Sequence, residues 1–294
     1  MQKDYFFVIF GAILFGTVTF GGRYFSNWGF SLYELGFYRV LFVSLMILPF
    51  VLIKREYFIK RRMLFFFVIY GLIGAILELT QFGGIVLGVP VAVVAFLLYC
   101  QPVWTTFLGR LLLKEPITIR KISAVIVALA GVVFLLKPWD IEAIGSVAGI
   151  ISAVLGGVFL SLWIIWGRKS GISEQHFLTT TLGWAGFSAV WLLVLWPFVS
   201  FFIRDPAITR LSVGIQASYW AYFLVYAIIS ALIPSFLFYK GVEKIDASIA
   251  GILMLMEPVS ATLLAAIFFA EPLGYNVLVG GALILFSNYL AIRK

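Results

Sequence analysis

A single histidine and a single cysteine are all that the 294 residues hold, and only 12% of the chain is charged. The lone Cys100 excludes an intrachain disulfide. The lone His176 lies beside Glu174 at the start of an apolar run, so it offers neither a metal-ligand cluster nor the Ser-His pairing of nucleophilic hydrolases. No P-loop or glycine-rich dinucleotide fingerprint stands in a supporting context, so no cofactor is expected and ATP-driven work by this chain alone is disfavoured. The aspartates Asp4, Asp140, Asp205 and Asp246 fall in loops or at the ends of apolar runs, which rules against paired aspartates in an apolar interior. Long linkers and low-complexity tails are absent as well.

What is abundant is apolar surface: 63% hydrophobic and 18% aromatic residues, with a mean hydropathy of +1.10. A soluble chain of this size has no interior large enough to hide it. Spanning roughly 30 Å of hydrocarbon takes about 20 helical residues. Ten runs have that length, at 5–23, 33–53, 63–86, 90–112, 119–136, 145–167, 177–203, 217–239, 247–269 and 274–292. They are continuously apolar, without the alternation of barrel strands, so an all-α integral membrane fold is expected. The first run lacks a small-residue cleavage site before Ser26 and Asn27, so it reads as a retained helix rather than a secretory signal.

Lys and Arg set the orientation. With the N-terminus inside, sixteen basic residues face the cytoplasm and four, Arg23, Lys137, Arg204 and Arg210, face outward, while Arg39 lies within the second span. Both termini are thus expected in the cytoplasm of a cell whose plasma membrane the chain crosses repeatedly. This asymmetry, together with anionic lipid headgroups, accounts for the +8 net charge. Nucleic acid is not an expected partner, because no soluble basic face exists.

The chain also echoes itself. Residues 101–116 read QPVWTTFLGRLLLKEP and residues 257–272 read EPVSATLLAAIFFAEP, so Pro102, Val103, Thr106, Leu108, Glu115 and Pro116 recur 156 positions later. Two related halves of five spans, residues 1–140 and 141–294, follow. An odd number of crossings makes the second half inverted, and repeated halves in a membrane place a binding site between them. Ala12, Leu14 and Gly16 match Ala153, Leu155 and Gly157 more weakly, at an offset of 141.

Ten spans in two halves, each with Pro-Val in its fourth helix and Glu-Pro about a dozen residues on, resemble the EamA-type branch of the drug/metabolite transporter superfamily. The resemblance covers nearly the whole chain and includes Arg39, Gln101-Pro102, Glu257-Pro258, Glu115 and Glu271. It implies a secondary transporter with a central cavity, often an exporter of amino acids or other small metabolites. It does not imply one substrate.

Glu257 lies near mid-membrane, where a charge costs at least about 2.5 kcal/mol, so it must face a cavity, find a partner or stay protonated. Its repeat mate Gln101 keeps hydrogen-bonding capacity without charge. Pro102 and Pro258 each remove a helical hydrogen bond beside them and free carbonyls one turn earlier. Lining a site and bridging two helices are both open to Glu257. Glu78 lies roughly 12 Å deep in the third span and Arg39 roughly 9 Å deep in the second, from the same side. Two readings follow: an ion pair fastening the spans, or a Glu78 that lines the outer vestibule with Thr80 and Gln81 and carries a proton.

Tyr99, Trp104 and Trp163 on the fourth and sixth spans are candidate cavity walls, with helix packing as the alternative; Trp166 and Trp184, nearer boundaries, are weaker ones. Trp28, Trp139, Trp196 and Trp220 fit the interfacial belt. Gly84 with Gly88, Gly145 with Gly149, Gly156-Gly157 and Gly280-Gly281 read as close helix contacts. Glu115-Pro116 and Glu271-Pro272 read as helix starts.

The expectation is therefore a carrier of amino acids or related amine-bearing or aromatic solutes. Its substrate would touch Gln101, Glu257, Glu78, Tyr99, Trp104 and Trp163, with Glu257 or Glu78 coupling protons. Its partners are the solute and the lipid bilayer, with a second copy of the chain admissible as a homodimer. A channel, or an intramembrane enzyme using Glu78 and Glu257, is the alternative.

Overall fold

The computed structural model describes residues 2–137, 146–270 and 273–293. Among these residues, ten stretches are helical, long and apolar enough to cross a membrane. The first comprises α1 (Gln2–Phe15) and α2 (Thr17–Asn27), the second α3 (Leu32–Ile53) and the third α4 (Leu64–Val86). The fourth comprises α5 (Val91–Tyr99) and α6 (Gln101–Leu113); α7 (Ile119–Leu136), α8 (Val147–Ile172) and α9 (Phe177–Phe202) are the fifth, sixth and seventh. A surface turn, α10 (Pro206–Thr209), precedes the eighth, α11 (Ala217–Ala227) and α12 (Ile233–Val242) joined by a π-helical turn. The ninth is α13 (Ala247–Leu253) with α14 (Met256–Phe269), and the tenth is α15 (Tyr275–Ile292). The expected boundary between halves, and Trp139, Asp140, Gly145, Glu271 and Pro272, lie outside the described residues.

Spans four and nine break where the repeat places its prolines. Without an N–H, Pro102 and Pro258 cannot bond the carbonyls of Leu98 and Met254. The chain tightens instead: Val103 N–H donates to the Cys100 carbonyl at 3.1 Å, and Glu257 N–H to the Met254 carbonyl at 2.9 Å. The halves of these spans also end alike, since Lys114 (φ 58°) and Ala270 (φ 53°), 156 positions apart, both close their helices in the left-handed region. In span eight, Pro234 follows the π turn over Ile228–Leu232, one of the recognised causes of a local helix distortion.

Span five packs on ten, two on seven, three on six and one on eight. Exchanging the halves maps the first two pairs onto themselves and the last two onto each other. Glycines permit the closest crossings. A Cβ on Gly16 would meet the Glu257 carbonyl at 2.8 Å, and one on Gly157 would meet the Leu97 carbonyl at 2.8 Å, so spans one and six lie against the breaks of nine and four. Gly131 faces Gly280 where spans five and ten cross, and Gly84 faces Gly149 where three meets six. With lipid tails as apolar as the side chains, such contacts hold helices together through dispersion rather than hydrophobic burial.

Each face has its own fastening. At the face with few basic residues, Ser31 and Glu34 form a capping box on α3, and the fully buried Glu34 also accepts from Arg210 at 3.1–3.2 Å and from Ser212 N–H at 2.9 Å. The segment after span seven is thereby held to the start of span two. At the basic face, the sequence reading of Glu115-Pro116 as a helix start needs correction. Residues 114–118 are non-helical, and α7 begins under a Thr118 cap. Glu115 does meet a helix N-terminus, but that of α13: its carboxylate accepts from Ala247 N–H (2.6 Å), Ser248 N–H (3.2 Å) and the Ser248 hydroxyl (2.9 Å). Lys121 donates to Asp246 at 2.7 Å beside it. Three acceptor bonds from a buried carboxylate make Glu115→Ala costly, by about 1–3 kcal/mol for the donors left unpaired. A lower melting temperature in detergent is expected, with Glu115→Gln intermediate; equal melting of all three proteins would contradict this role.

Candidate functional site

A cavity of about 590 Å³ lies between spans one, three, four and nine. Its rim, formed by Ser26, Leu32, Val91 and Phe269, belongs to the face with few basic residues, and its floor is Tyr99 and Glu257. Below it, an inner chamber of about 60 Å³ reaches Arg39, Glu78, Trp163, Trp184 and Met254. Glu257 lines both. The break in span nine puts Glu257 in the first turn of α14, while the matching break in span four brings the Tyr99 hydroxyl to 3.4 Å from its Oε1.

Beyond the chamber, towards the basic face, aromatic rings fill the space between spans three, six and eight. The Tyr70 hydroxyl donates to the Trp163 carbonyl at 2.9 Å and lies 2.9 Å from the Tyr239 hydroxyl, and Trp163 stacks on Phe238 at 4.6 Å between centroids. All four residues are buried. The cavity thus ends on this plug, and it opens to one face.

Arg39 and Glu78 are paired inside the protein, with Arg39 Nη2 donating to Glu78 Oε1. Gln81 donates to the other oxygen, Oε2, at 2.8 Å. Gly36 lies alongside, where a Cβ would be in ordinary contact with Glu78 Oε2 at 3.4 Å. The ion pair is also part of the wall of the inner chamber, with Gln81 beside it, while Thr80 lines neither cavity. Both oxygens of Glu78 thus have a side-chain partner, one on Arg39 and one on Gln81.

The remaining sequence candidates separate. Tyr99 and Trp163 line the cavities. Gln101 does not: it is fully buried, its Nε2 donates to the Gly251 carbonyl at 2.6 Å and its Oε1 accepts from Thr105 at 2.6 Å. It ties span four to span nine, and its bonding capacity is spent on that. Trp104, half-buried on α6, is not among the lining residues of either cavity. Trp184, the weaker sequence candidate, lies seven residues into α9, roughly 10 Å deep, and is part of the chamber wall.

His176 caps α9, accepting at Nδ1 from Leu178 N–H at 3.3 Å and stacking on Tyr57 at 4.4 Å. It touches no part of the cavity lining. Among the described residues, no three His, Cys, Asp or Glu side chains gather as metal ligands.

Ten spans around a blind polar-floored cavity are the build of a membrane transporter. The model of the EamA-like transporter family matches residues 2–137 and again 147–293, and this chain belongs to that family. A protein described as an uncharacterized transporter of Archaeoglobus fulgidus is 27% identical over 66% of this chain and 64% of its own length. The transporter YetK of Bacillus subtilis, likewise uncharacterized, is 23% identical over 66% and 57%, and the protein PecM of Dickeya dadantii 27% identical over 69% and 65%. The matched stretch therefore spans about two thirds of these relatives. A solved crystal structure shares the fold, with a TM-score of 0.78 over 99% of this chain and 97% of its own, at 17% identity.

Two expectations follow from the site's surroundings. Arg39→Met strands a buried carboxylate and should destabilise the protein by about 3–5 kcal/mol, whereas Arg39→Met with Glu78→Met should recover most of the loss. Thermal melts in detergent compare them, and a double variant no more stable than the single one would refute pairing as the main role. Burial lowers the pKa of His176 from 6.5, so on acidification the unfolded chain takes up that proton first. Stability from this group is complete above about pH 6.5 and falls below it. His176→Asn, which keeps a cap but does not titrate, should flatten this part of the melting profile between pH 7 and 5.

Proposed function

We propose that the protein is a secondary carrier, exporting amino acids or related amine-bearing or aromatic solutes by alternating access between its two inverted halves. One observation carries this reading: Glu257, the charged member of the repeated pair, stands at the break of span nine on the wall shared by both cavities. A carboxylate exposed to a cavity in mid-membrane is a site for a cation or a proton. Its surroundings suit an amine-bearing solute, with Tyr99 beside the carboxylate and apolar walls at Val94, Leu98 and Ala261. The arrangement described here is the outward-facing one, given both termini in the cytoplasm of a plasma-membrane protein, as the basic residues favour.

Within this mechanism Glu257 is the proton-coupling acid. Glu78, held by Arg39 and Gln81, keeps spans two and three in register and lines the chamber. Gln101 serves as the bridge about which span nine is held to span four. A fixed channel is the weaker reading because the aromatic plug closes one end.

The test is counterflow of radiolabelled amino acids and amines in proteoliposomes, with and without an imposed pH gradient. Saturable counterflow is expected in the wild type. Glu257→Gln should cut the initial rate at least about tenfold, as loss of a charge-assisted contact does, and should abolish the response to pH. Flux that neither saturates nor counterflows would point to a channel, and an unaltered Glu257→Gln protein would remove the site from this position.

A further inference from the structure

Three hydrogen-bond donors on the wall of the inner chamber have no acceptor among the described residues: Nε of Arg39 and Nε1 of Trp163 and of Trp184. Each residue is more than nine-tenths buried, with exposures of 7%, 3% and 5%. Buried donors left unpaired are costly and are rare in folded proteins, so three around one small space call for an acceptor that enters it. The backbone keeps one of them open. Gly74, itself part of the chamber wall, lies against the Trp184 indole so closely that a Cβ would sit 2.5 Å from Nε1.

The nearest neutral acceptors are hydroxyls that already make other bonds: Tyr239, beside the Trp163 indole, lies 2.9 Å from the Tyr70 hydroxyl; Tyr226, beside Arg39, donates to the Val18 carbonyl at 3.1 Å; and Ser188, beside Trp184, donates to the Gly71 carbonyl at 3.1 Å. Glu78 is engaged at both oxygens by Arg39 and Gln81. Glu257, at the boundary between chamber and cavity, has a long contact from Tyr99 at 3.4 Å. The site therefore has two poles: donors in the chamber, and a carboxylate where the chamber meets the main cavity. Size separates their tasks. A chamber of about 60 Å³ admits a group the size of a carboxylate, whereas the cavity of about 590 Å³ above it has room for a side chain.

We propose that the inner chamber is a subsite for the carboxylate of a zwitterionic solute, bound by the Trp163 and Trp184 indoles and Arg39 Nε, with the solute's ammonium against Glu257 and its side chain in the main cavity. This rests on the carrier reading above and adds the orientation of the solute. It makes the head group, rather than the side chain, the feature that is recognised. Bulky apolar side chains are accommodated along Val91, Val94, Leu98 and Ala265, while an amine without a carboxylate leaves three buried donors unmet.

The experiment is competition in proteoliposomes against labelled L-phenylalanine, using unlabelled L-phenylalanine, its primary amide and phenethylamine. In the wild type, phenethylamine should compete at least about tenfold more weakly than L-phenylalanine, with the amide between, since a charge-assisted hydrogen bond is worth roughly that factor or more. Trp184→Phe, which removes one donor but keeps an aromatic ring, should narrow the ratio severalfold by weakening L-phenylalanine alone. Gly74→Ala, which covers the indole edge, should do the same by another route. The wild-type series needs no variant, so it decides even if both variants fail to fold. Equal competition by L-phenylalanine and phenethylamine, both lost in Glu257→Gln, would overturn the carboxylate subsite and leave the carrier standing. Absence of saturable, Glu257-dependent uptake of labelled L-phenylalanine, with no competition by any of the three, would overturn the carrier reading and the subsite with it.

Discussion

Hydrocarbon offers no hydrogen bonds, so a spanning segment must satisfy its own backbone or meet a partner that does. Two prolines, Pro102 and Pro258, violate that rule at matching points of the repeat, and much of the interior is arranged around the consequence. The chain tightens to a shorter turn at Cys100 and at Met254. Other spans must then approach closely enough to seal the break, which is why glycines face it: Gly16 from span one and Gly157 from span six. Ser161 donates to the Gln101 carbonyl at 2.9 Å and Ser260 to the Ile13 carbonyl at 2.9 Å, stitching the same two crossings. A break sealed on one side and open to a cavity on the other is a place where a polar side chain can be both held and presented.

The two halves use that place differently. In span four the polar residue after the break is Gln101, and it turns to a neighbour, donating to Gly251 and accepting from Thr105. In span nine it is Glu257, which faces the cavity. A neutral amide can be buried completely once its bonds are made, whereas a carboxylate in the same setting needs a counter-charge, a proton or water. Arg39 is nearby but already donates to Glu78, so its charge is largely spent. The asymmetry within the repeat thus leaves one carboxylate on the cavity wall, with the Tyr99 hydroxyl at 3.4 Å beside it.

Depth along a helix was legible in the sequence; rotation about its axis and the identity of neighbours were not. The ten spans follow from the length of apolar runs, and the similar depths of Arg39 and Glu78 made an ion pair one of two readings that the structure then shows. The repeat marked both breaks. Gln101 and Glu257 occupy the same register, yet periodicity could not say that one points into a helix contact and the other into a cavity. Glu115 shows the same limit: a carboxylate beside a helix N-terminus was readable from Glu-Pro, but the helix it caps, α13, begins more than a hundred residues later. The capping box at Ser31 and Glu34 carried a plain S-x-x-E signature, whereas its clamp on Arg210 is long-range and silent in sequence. Trp184 had a usable signal in its depth, seven residues inside its span.

For the proposed carrier, this geometry also says what a change of access would have to undo. Closure at the basic face rests on Glu115 and Lys121 against α13, on the Gln101–Gly251 bond, and on the plug of Tyr70, Trp163 and Tyr239. Several of these are buried or charge-assisted bonds of about 1–3 kcal/mol each, and they join spans three, four and five of one half to spans eight and nine of the other. A carrier working by alternating access would have to release them together, since weakening one alone leaves the rest in place. A solute can shift such an equilibrium only through a difference in its affinity for the two states. Trp163 supplies a physical route, because its carbonyl and one face of its indole belong to the plug while the residue also lines the chamber. Span nine supplies another, since Met254 and Glu257 line the chamber about two to three turns beyond the α13 start that Glu115 holds. Occupancy of the cavity and closure of the basic face are therefore written on the same two segments of backbone.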